Sequence, residues 1–567
     1  MALPIKKSWQ IQAAIPSDGE GMLDGYSPVM QQMLYNRGIK DTEAANWYLR
    51  GGGSMYDPYL LPDMEAAVDR IWYALEHQES IAVYGDYDVD GVTATVLLVQ
   101  VLQRLGGNVI RYIPNRFDEG YGVNNDALDM LHEQGIRLVV TVDCGIRSPR
   151  EADHARQMGM DLVISDHHEP KADLPEALAV ICQKRTGTVN VYPERNLAGV
   201  GLAFKIAEAM LAKRPVEGVK AEDWLDLVAI GTVADVVPLT GENRALVRAG
   251  LKDIRFGQRL GLLSLVNVAG LSIQKISARD IGYGLGPRLN AAGRLESALA
   301  AFDLLVSTDL PTAGLLSQKL DDQNRDRQRM TQQMQAEAEK LAHASENDSL
   351  LMAVDAEFNM GVVGLVAARL TDAYYRPAIV GSRGEEFTRA SCRSIPEFNI
   401  TQALDECTPL LERHGGHAMA AGFTVRNENL AELSDCLHAI AQRELGERDL
   451  RPVLRADMEI ALRDLHPNLL KDLDLLEPTG LGNPEAVFVS RDLRVKWPKK
   501  IGNEGQHLRM SVTDGYITYD AVAFRQGYWA DQMPAKVDLL YVFETNLYQG
   551  RESLQLNVRD ISLAENV

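Results

Sequence analysis

The sequence predicts an α/β protein with a mostly parallel sheet, a second and smaller α/β domain, and a β-barrel toward the C-terminal end. Short apolar runs alternate with helical patterns from Met64 to Ser165, which is typical of a parallel sheet covered by helices. The same alternation returns over a shorter stretch after Ser349, and short strand patterns punctuated by Pro and Gly follow Pro452. A chain of 567 residues is also too long for a single hydrophobic core.

Composition is typical of a soluble globular protein. The hydrophobic content is 46% and the charged content is 24%. No apolar run is long enough to span a membrane, and the first residues, MALPIKKSWQIQ, lack the apolar core of a signal peptide. The five cysteines are scattered without a CxxC pair, which favours reduced thiols and argues against a zinc site. We therefore expect a cytoplasmic protein with no membrane contact.

The charge balance is strongly acidic, with a formal net charge of -21. This value argues against simple nonspecific binding of duplex nucleic acid, which usually needs a broad basic surface. A local basic groove stays compatible with it. Some of the acidic residues are available to hold metal ions, and the others favour solubility.

Breaks in the pattern divide the chain into five segments. The glycines at 51–53 end a lead-in of helical segments, and the polar stretch 312–345 predicts a long solvated helix that joins two domains. A charged hinge precedes the barrel. The predicted segments are the lead-in (1–50), the parallel-sheet domain (51–311), the connecting helix (312–345), the second α/β domain (346–446) and the barrel (453–567).

An acidic loop follows the first buried strand pattern, at Ile81 to Tyr84. Asp86, Asp88 and Asp90 alternate there with other residues, and an apolar run that can open a helix follows Gly91. Carboxylates held together at a strand end repel one another unless a cation neutralises them. Hard divalent ions such as Mg²⁺ and Mn²⁺ prefer such oxygen ligands. A solvated acidic loop without metal is the alternative.

Two further strand patterns end in residues that can bind metal. One delivers Asp143, and the next delivers Asp166, His167 and His168. Asp235 also follows an apolar run. Because ligands bind at the carboxyl ends of strands in open α/β sheets, we expect these side chains to face one pocket. Taken singly, Asp143 could instead cap a helix, and either histidine could be an ordinary hydrogen-bonded residue.

Motifs at these positions resemble a known family. The runs GDYDVDG (85–91), VDCG (142–145), SDHH (165–168) and ADVVPL (234–239) are similar to the DHH phosphoesterase superfamily. PRLNAAGR (287–294) and GGHAMAAG (415–422) resemble specifically the RecJ family of single-stranded-DNA exonucleases. The resemblance extends over nearly the whole chain from about residue 50. It implies a DHH domain, a DHHA1 domain and a C-terminal OB-fold.

The resemblance implies two divalent metal ions, Mn²⁺ or Mg²⁺, as cofactors. Matched by motif, the ligands are Asp88, Asp90, Asp143, His167 and Asp235, with Asp86 close by. Two such ions can stabilise both the attacking and the leaving oxygen of a phosphodiester. His168 either joins the ligands or hydrogen-bonds the scissile phosphate, and the sequence leaves both roles open.

The resemblance also implies residues that contact the nucleic acid. His168, Arg288 and His417 would act at the phosphodiester. The strand-binding residues would be Arg116, Tyr121, Arg288, Asn290, Ser391, Arg393 and His417, with Ser391 and Arg393 as a clamp for a 5′ phosphate. Tyr121 could stack on a base or only pack, Arg288 could be a structural arginine, and Ser391 an ordinary loop serine.

Three positions depart from the family pattern. Phe358 and Asn359 stand where the family commonly has a tryptophan–histidine pair, and Asn399 stands where a histidine is frequent. These departures concern fine substrate contacts, whereas the metal-binding motifs are complete.

The predicted function is metal-dependent 5′→3′ exonucleolytic hydrolysis of single-stranded DNA in recombination and repair. Direction and DNA preference come from the resemblance. The expected partners are single-stranded DNA with a 5′ end, a single-stranded-DNA-binding protein and a helicase that separates duplexes, and we expect a monomer. A DHH hydrolase of short oligonucleotides, cyclic dinucleotides or pyrophosphate is the alternative enzyme. A nucleic-acid adaptor without activity is the third reading.

Overall fold

The structure is a computed structural model that describes residues 5–16, 21, 23–50, 55–116, 118–187, 191–342, 349–548 and 551–564. The chain divides into two compact units. Unit 1 comprises Met1–Gln10 and Asp322–Leu454, and unit 2 comprises Ile11–Asp321 and Arg455–Val567. The expected glycine break at 51–53 and the predicted end of the connecting helix at 343–345 lie outside the described residues.

Unit 2 contains the predicted parallel sheet. The strands are β2 (Ser80–Tyr84), β3 (Asn108–Tyr112), β4 (Leu138–Val142), β5 (Asp161–Ser165) and β6 (Ala179–Ile181). Their order in the sheet is β3-β2-β4-β5-β6, and every neighbouring pair is parallel. The central strand β4, with the sequence LVVTV, is buried at each position because helices cover both faces.

Helices surround this sheet and continue after it. The first four alternate with the strands, as the apolar periodicity predicted, and the later ones contribute buried side chains to the same large apolar cluster. The helices are α3 (Met64–Glu76), α4 (Val89–Arg104), α5 (Asn125–Glu133), α6 (Pro149–Gln157), α7 (Gly199–Lys213), α8 (Leu225–Ala234), α9 (Gly241–Phe256), α10 (Leu260–Val268), α11 (Ala278–Asp280), α12 (Gly286–Leu295) and α13 (Leu299–Val306).

The predicted long helix is present as α14 (Leu310–Ala342), a 33-residue element, but the expectation that it is solvated is wrong on one side, where Leu320, Asp321 and Asn324 are buried. Unit 1 continues after it with β7 (Leu351–Asp355), α15 (Val363–Tyr374), β8 (Ala378–Arg383), β9 (Phe387–Arg393), α16 (Ile400–Glu406), β10 (Leu411–His417), β11 (Ala420–Arg426) and α17 (Leu430–Leu445). The strands form a mixed sheet in the order β10-β11-β9-β8-β7. This is the smaller α/β domain that the sequence predicted.

The C-terminal strands close into a barrel, consistent with an OB-fold. The elements are β13 (Met458–Glu459), α18 (Pro467–Asp474), β14 (Phe488–Ile501), β15 (His507–Thr513), β16 (Thr518–Ala523), β17 (Lys536–Tyr548) and β18 (Arg551–Leu563). β14 pairs with both β15 and β17, and β18 lies between β16 and β17. The patterns at 487–489 and 493–495 belong to one strand, because irregular register between Ser490 and Leu493 bends β14 without ending it.

The N-terminal segment contributes to the same core as the barrel. After β1 (Ser8–Ile11), which pairs with β12 (Val453–Ala456), come α1 (Pro28–Asn36) and α2 (Thr42–Arg50). The buried side chains of the two helices share one apolar cluster with the barrel strands. A segment expected as a lead-in therefore helps to build the C-terminal domain, while the predicted domain boundaries stay predictions. No described helix combines the length and apolar character that a membrane span needs.

Candidate metal centre

The acidic loop closes around the first turn of α4. Asp88 accepts a hydrogen bond from the Gly91 N–H at 3.1 Å and caps the helix, so α4 begins at Val89, earlier than the apolar run after Gly91 predicted. Asp90 consequently lies in the first turn and is only 1% exposed. A Cβ at Gly91 would lie 2.6 Å from the backbone nitrogen of Asp86, so only glycine fits there.

The N-terminus of α7 holds the carboxylate of Asp90. The N–H groups of Gly199 and Val200 donate to its two oxygens at 2.6 and 2.8 Å. Gly199 also permits close packing, because a Cβ there would lie 2.6 Å from the Cβ of Asp143. Sequence reasoning missed this contribution, and the glycines of the run AGVG (198–201) were the signal that could have indicated it.

Asp143 directly follows β4 and has a left-handed backbone, with φ 64°. Its N–H donates to the Ser165 carbonyl at 3.0 Å, which joins the ends of β4 and β5. The next helix, α6, has Ser148 at its N-cap. Asp143 therefore caps no helix, and the alternative weighed for it from the sequence is wrong.

His167 lies among three carboxylates. Its Nε2 is 3.1 Å from Oδ1 of Asp143, 3.6 Å from Oδ2 of Asp235 and 3.9 Å from Oδ2 of Asp90. Neither Nε2 nor Oδ1 of Asp143 makes a hydrogen bond to any described residue, although both are buried. Burial, and then the charge of His168, lowers the pKa of His167 to about 3, so its ring is neutral. Neutral imidazole and carboxylate oxygens facing one another without hydrogen bonds suit a cation.

The candidate ligands form three overlapping groups. They are Asp143–His167–His168, Asp90–His167–Asp235 and Asp86–Asp88–Asp143, and within each group one ligand atom per residue lies within 4.8 Å of the others. The six residues predicted as metal ligands and His168 are therefore brought together from separate elements. Asp143 belongs to two of the groups.

Burial and mutual repulsion disfavour ionised carboxylates here. Burial, and then the charge of Asp88, raises the pKa of Asp86 to about 8 and that of Asp90 to about 7. Burial, and then the charge of Asp90, raises the pKa of Asp235 to about 9. The pKa of Asp143 is also well above its ordinary value, because it is buried beside Asp90. Divalent cations remove this penalty by pairing with the ionised forms.

His168 is oriented by a second carboxylate. Its Nδ1 lies 2.8 Å from Oδ1 of Asp166 and 3.2 Å from the hydroxyl of Tyr121. Asp166 is fixed in turn by the N–H groups of Ile146 and His168, at 2.9 and 3.0 Å. Although burial acts in the opposite direction, the hydrogen bond from His168 lowers the pKa of Asp166. These contacts occupy Nδ1 and leave Nε2 for another partner.

A cavity of about 350 Å³ opens beside these ligands. Tyr121 lies in its wall, and its hydroxyl also donates to the Asp143 carbonyl at 3.4 Å, while its role in base stacking stays a prediction. Arg116 lies over the Tyr87 ring, 5.0 Å from the ring centroid. The cavity is lined by Asp86, Tyr87, Asp88, Arg116, Tyr121, His168, Ala234, Asp235, Asn290, Gly293 and Arg294.

Two residues of the PRLNAAGR run make contacts within the protein. The side-chain oxygen of Asn290 accepts from the Val89 N–H at 3.2 Å and supports the acidic loop. Arg288 is absent from the described cavity wall, because its Nε donates to Asp321 at 2.9 Å and its Nη1 to the Gly284 carbonyl at 2.7 Å. These contacts favour the structural reading of Arg288, and its contact with substrate stays a prediction.

Unit 1 contains a separate cluster of polar side chains at the N-terminus of α15. Nη1 of Arg393 donates to the hydroxyl of Ser391 at 3.3 Å. A Cβ at Gly364, in the first turn of α15, would lie 3.0 Å from that hydroxyl and 3.2 Å from Nη2 of Arg393. The absence of a side chain at Gly364 therefore lets both polar groups approach the first turn of α15 closely. His417 is exposed at the end of β10.

The departures from the family pattern have local roles. Phe358 is buried in a core cluster of unit 1, and the side-chain oxygen of Asn359 accepts from the Gly361 N–H at 2.8 Å. Asn399 caps α16 by accepting from the Gln402 N–H at 3.3 Å. Asparagine thus supplies turn and cap hydrogen bonds at these positions.

Family models match three parts of the chain. They are the N-terminal domain of the DHH family at residues 80–232, the DHHA1 domain at 347–443 and the RecJ OB domain at 456–560. Together they cover most of the candidate metal centre, the polar cluster of unit 1 and the barrel.

Curated proteins and solved structures are similar over most of the chain. A single-stranded-DNA-specific exonuclease RecJ of Bacillus subtilis is 36% identical over 571 residues, 99% of this chain and 72% of the relative. The protein of that name from Dickeya dadantii is 33% identical, covering 95% of this chain and 96% of the relative. Two crystal structures of RecJ from Thermus thermophilus are also similar to this chain. The complex with Mn²⁺ has a TM-score of 0.85 and 27% identity, and the complex with Mg²⁺ has a TM-score of 0.78 and 26% identity. Each match covers 99% of this chain, and 80% and 79% of those chains.

Proposed function

This chain belongs to the RecJ family and is a single-stranded-DNA-specific exonuclease, and we propose that it degrades the strand from its 5′ end with two divalent metal ions. One observation carries the proposal. Several carboxylates converge on His167, and the buried Nε2 of His167 and Oδ1 of Asp143 face each other without a hydrogen bond. A binding module without chemistry has no need of such a costly cluster.

The metal-binding residues proposed here divide around Asp143. Asp90, His167 and Asp235 would hold one ion, Asp86 and Asp88 the other, and Asp143 would contribute to both. When bound, the ions supply Lewis-acid activation of the phosphodiester and of the attacking water. The backbone donors of α7 fix both oxygens of Asp90, so the protein presents this ligand in one orientation.

The side chains around the cavity would bind and orient the scissile phosphate. Asp166 and Tyr121 hold the ring of His168, so its Nε2 is available to hydrogen-bond a phosphate oxygen. Arg116 and Arg294 line the same cavity and add positive charge beside the carboxylates. We therefore assign His168 to phosphate contact and keep Asp86 among the ligands.

The 5′ end of the strand is proposed to bind in unit 1. The cluster formed by Gly364, Ser391 and Arg393 combines a guanidinium, a hydroxyl and the N-terminus of a 12-residue helix. These are the groups that recognise a terminal phosphate dianion. His417, on the neighbouring hairpin, would contact the backbone of the same strand.

The barrel carries an exposed patch suited to single strands. Trp497 is 74% exposed and has φ 51° at an irregularity in β14, which turns its ring outward. Arg494, Lys496 and Lys499 are exposed on the same strand. In an acidic protein, such a local group of cations beside an aromatic ring favours a stacked and neutralised single strand.

The proposal extends to the setting in which the enzyme acts. Each candidate ligand comes from one chain, which is compatible with a monomer. All five cysteines are free, as expected for a cytoplasmic protein. Because single strands are the substrate, we propose that a helicase and a single-stranded-DNA-binding protein supply it during recombination and repair.

Two singly end-labelled oligonucleotides test this function. With Mn²⁺, we expect the 5′ label to leave first as a mononucleotide while the 3′ label stays on progressively shorter strands. Asp90→Asn should abolish release but keep strand binding, whereas Asp173→Asn, at an exposed position, should behave as wild type. Early loss of the 3′ label would contradict the direction. Equal rates on dinucleotides and long strands would favour the hydrolase of short substrates.

A further inference from the structure

Two cysteines that are distant in the sequence meet in unit 1. Cys407 stands at the end of α16 and Cys436 within α17, 29 residues later, and their sulfur atoms are 2.6 Å apart. A disulfide bond is about 2.05 Å long, so the two sulfurs need only a small movement to reach bonding distance. Neither belongs to a CxxC motif, and the sequence alone gave no reason to pair them.

The other three cysteines lie in different surroundings. Cys144, Cys182 and Cys392 are each 0% exposed. The thiols of Cys144 and Cys182 contact backbone carbonyl oxygens, those of Tyr84 and His168. Among the described residues, a contact between two thiols occurs only at the Cys407–Cys436 pair.

The two thiols of the pair differ in access. Cys407 is 2% exposed, whereas Cys436 is half-buried and reaches the surface of α17. Because of this difference in exposure, a small reagent meets Cys436 first, and Cys407 is positioned as the resolving thiol behind it. Burial, and then the neighbouring Cys436, raises the pKa of the Cys407 thiol to about 12, so alkaline buffer favours the thiolate that the second step needs.

We propose that Cys407 and Cys436 are a site of reversible oxidation, which a low-molecular-weight disulfide converts to an intramolecular disulfide. The Cys436 thiolate attacks the reagent, forms a mixed disulfide and releases one small thiolate. The Cys407 thiolate then attacks Sγ of Cys436 and releases the second. The protein loses two protons and two electrons, and the reagent is reduced to two thiols.

The bond would close a loop that includes the β10–β11 hairpin. The segment between the two cysteines contains Gly415, Gly416 and His417. A cross-link that spans it restricts the unfolded chain and ties the end of α16 to α17. Oxidation is therefore expected to slow local opening of the hairpin. This expectation does not depend on which substrate the protein hydrolyses.

Exposure of the reduced full-length protein to oxidised glutathione tests this site. We expect the intact mass to fall by two hydrogen atoms, and non-reducing peptide mapping to join the peptides of Cys407 and Cys436. Hydrogen exchange should slow across 411–426, and dithiothreitol should reverse both changes. Because the peptide mapping uses the wild-type protein, this test does not depend on the folding of any variant.

Variants separate this pair from the other cysteines. Cys436→Ser should prevent the mass loss, and Cys182→Ser should leave it intact. In Cys407→Ala, a glutathione adduct should persist on Cys436, because no resolving thiol remains. A persistent adduct in the wild type, a bridge between other cysteines, or no reaction would overturn the proposal.

Discussion

Burial and mutual repulsion govern the carboxylates around His167. Without cations, the pKa values of Asp86, Asp90 and Asp235 are raised to about 8, 7 and 9. The folded, metal-free chain thus holds protons that the unfolded chain releases near its ordinary Asp pKa. The resulting stability is complete below about pH 4 and is lost as pH rises through about 7 to 9.

The loss of stability with rising pH gives the first prediction. The melting temperature of metal-free protein should fall by several degrees between about pH 6 and about pH 9, whereas saturating Mn²⁺ should suppress the fall by replacing the protons. Calorimetry with and without Mn²⁺ measures both curves. Asp235→Asn removes one titrating group and should flatten the metal-free curve. Metal-free and Mn²⁺-loaded curves of equal slope would exclude this account of the carboxylates.

A second prediction concerns the hydroxyl of Tyr121, which contacts Nδ1 of His168. Tyr121→Phe removes one hydrogen bond, worth about 0.5–1.5 kcal/mol, so kcat should fall by about 3- to 10-fold. KM and Mn²⁺ affinity should stay unchanged. Tyr73→Phe, at an exposed tyrosine on α3, is the control.

Base stacking by Tyr121 would give the opposite pattern. Tyr121→Phe would then keep full activity, because phenylalanine also stacks, and Tyr121→Ala would raise KM. Steady-state kinetics on one oligonucleotide distinguish the two roles.

At the scale of elements, helix ends position several side chains of the candidate sites. The acidic loop, the α7 N-terminus and the α15 N-terminus each place backbone N–H groups or a close-packed glycine beside a candidate site residue. The alternation of apolar runs predicted the parallel sheet and the strand ends that carry Asp143 and His167. The start of α4 depends on the local cap by Asp88, whereas the AGVG run could indicate a close contact at Gly199 but not that Asp90 is its partner.

Gly364 at the start of α15 gives the third prediction. Gly364→Ala would place a methyl group between Ser391 and Arg393, so the preference for a 5′-phosphorylated end should fall by about 10-fold, as expected for a lost charged hydrogen bond. The helix itself tolerates alanine, and the added methyl group displaces the Ser391 hydroxyl and the Arg393 guanidinium that lie against it. Relative rates on 5′-phosphoryl and 5′-hydroxyl strands measure the effect.

Gly314→Ala on α14 is a matched control, because a Cβ there meets no atom within 4 Å. It should keep the wild-type preference. An unaltered preference in Gly364→Ala would remove the cluster from the account of 5′-end recognition.

Unit 2 combines sequence segments that local patterns cannot join. The N-terminal helices lie in the barrel core because residues such as Met33 and Leu34 bury their side chains there. Short-range periodicity predicts that such a helix has an apolar face, but not which distant element covers it. The same limit applies to Cys407 and Cys436, whose contact depends on the packing of two helices.

Arg244 of α9 links these segments and gives the fourth prediction. Its buried guanidinium donates to the carbonyls of Leu475, Leu476, Glu477, Pro478 and Tyr48 at 2.8 to 3.4 Å. Arg244→Lys loses this planar arrangement and should destabilise the protein by about 3 kcal/mol. Denaturant unfolding measures the loss. Lys252→Met, exposed on the same helix, should change stability by less than about 0.5 kcal/mol, and equal effects would contradict the linking role.

At this scale we propose that strand ends and helix ends from separate parts of the chain share a pair of divalent cations through Asp143. Titration of the metal-free protein with Mn²⁺, followed by electron paramagnetic resonance, tests it most directly. We predict two Mn²⁺ per chain with a mutually broadened signal, and loss of the coupled pair in Asp143→Asn. A single isolated Mn²⁺ per chain, or a coupled pair that survives in Asp143→Asn, would contradict it.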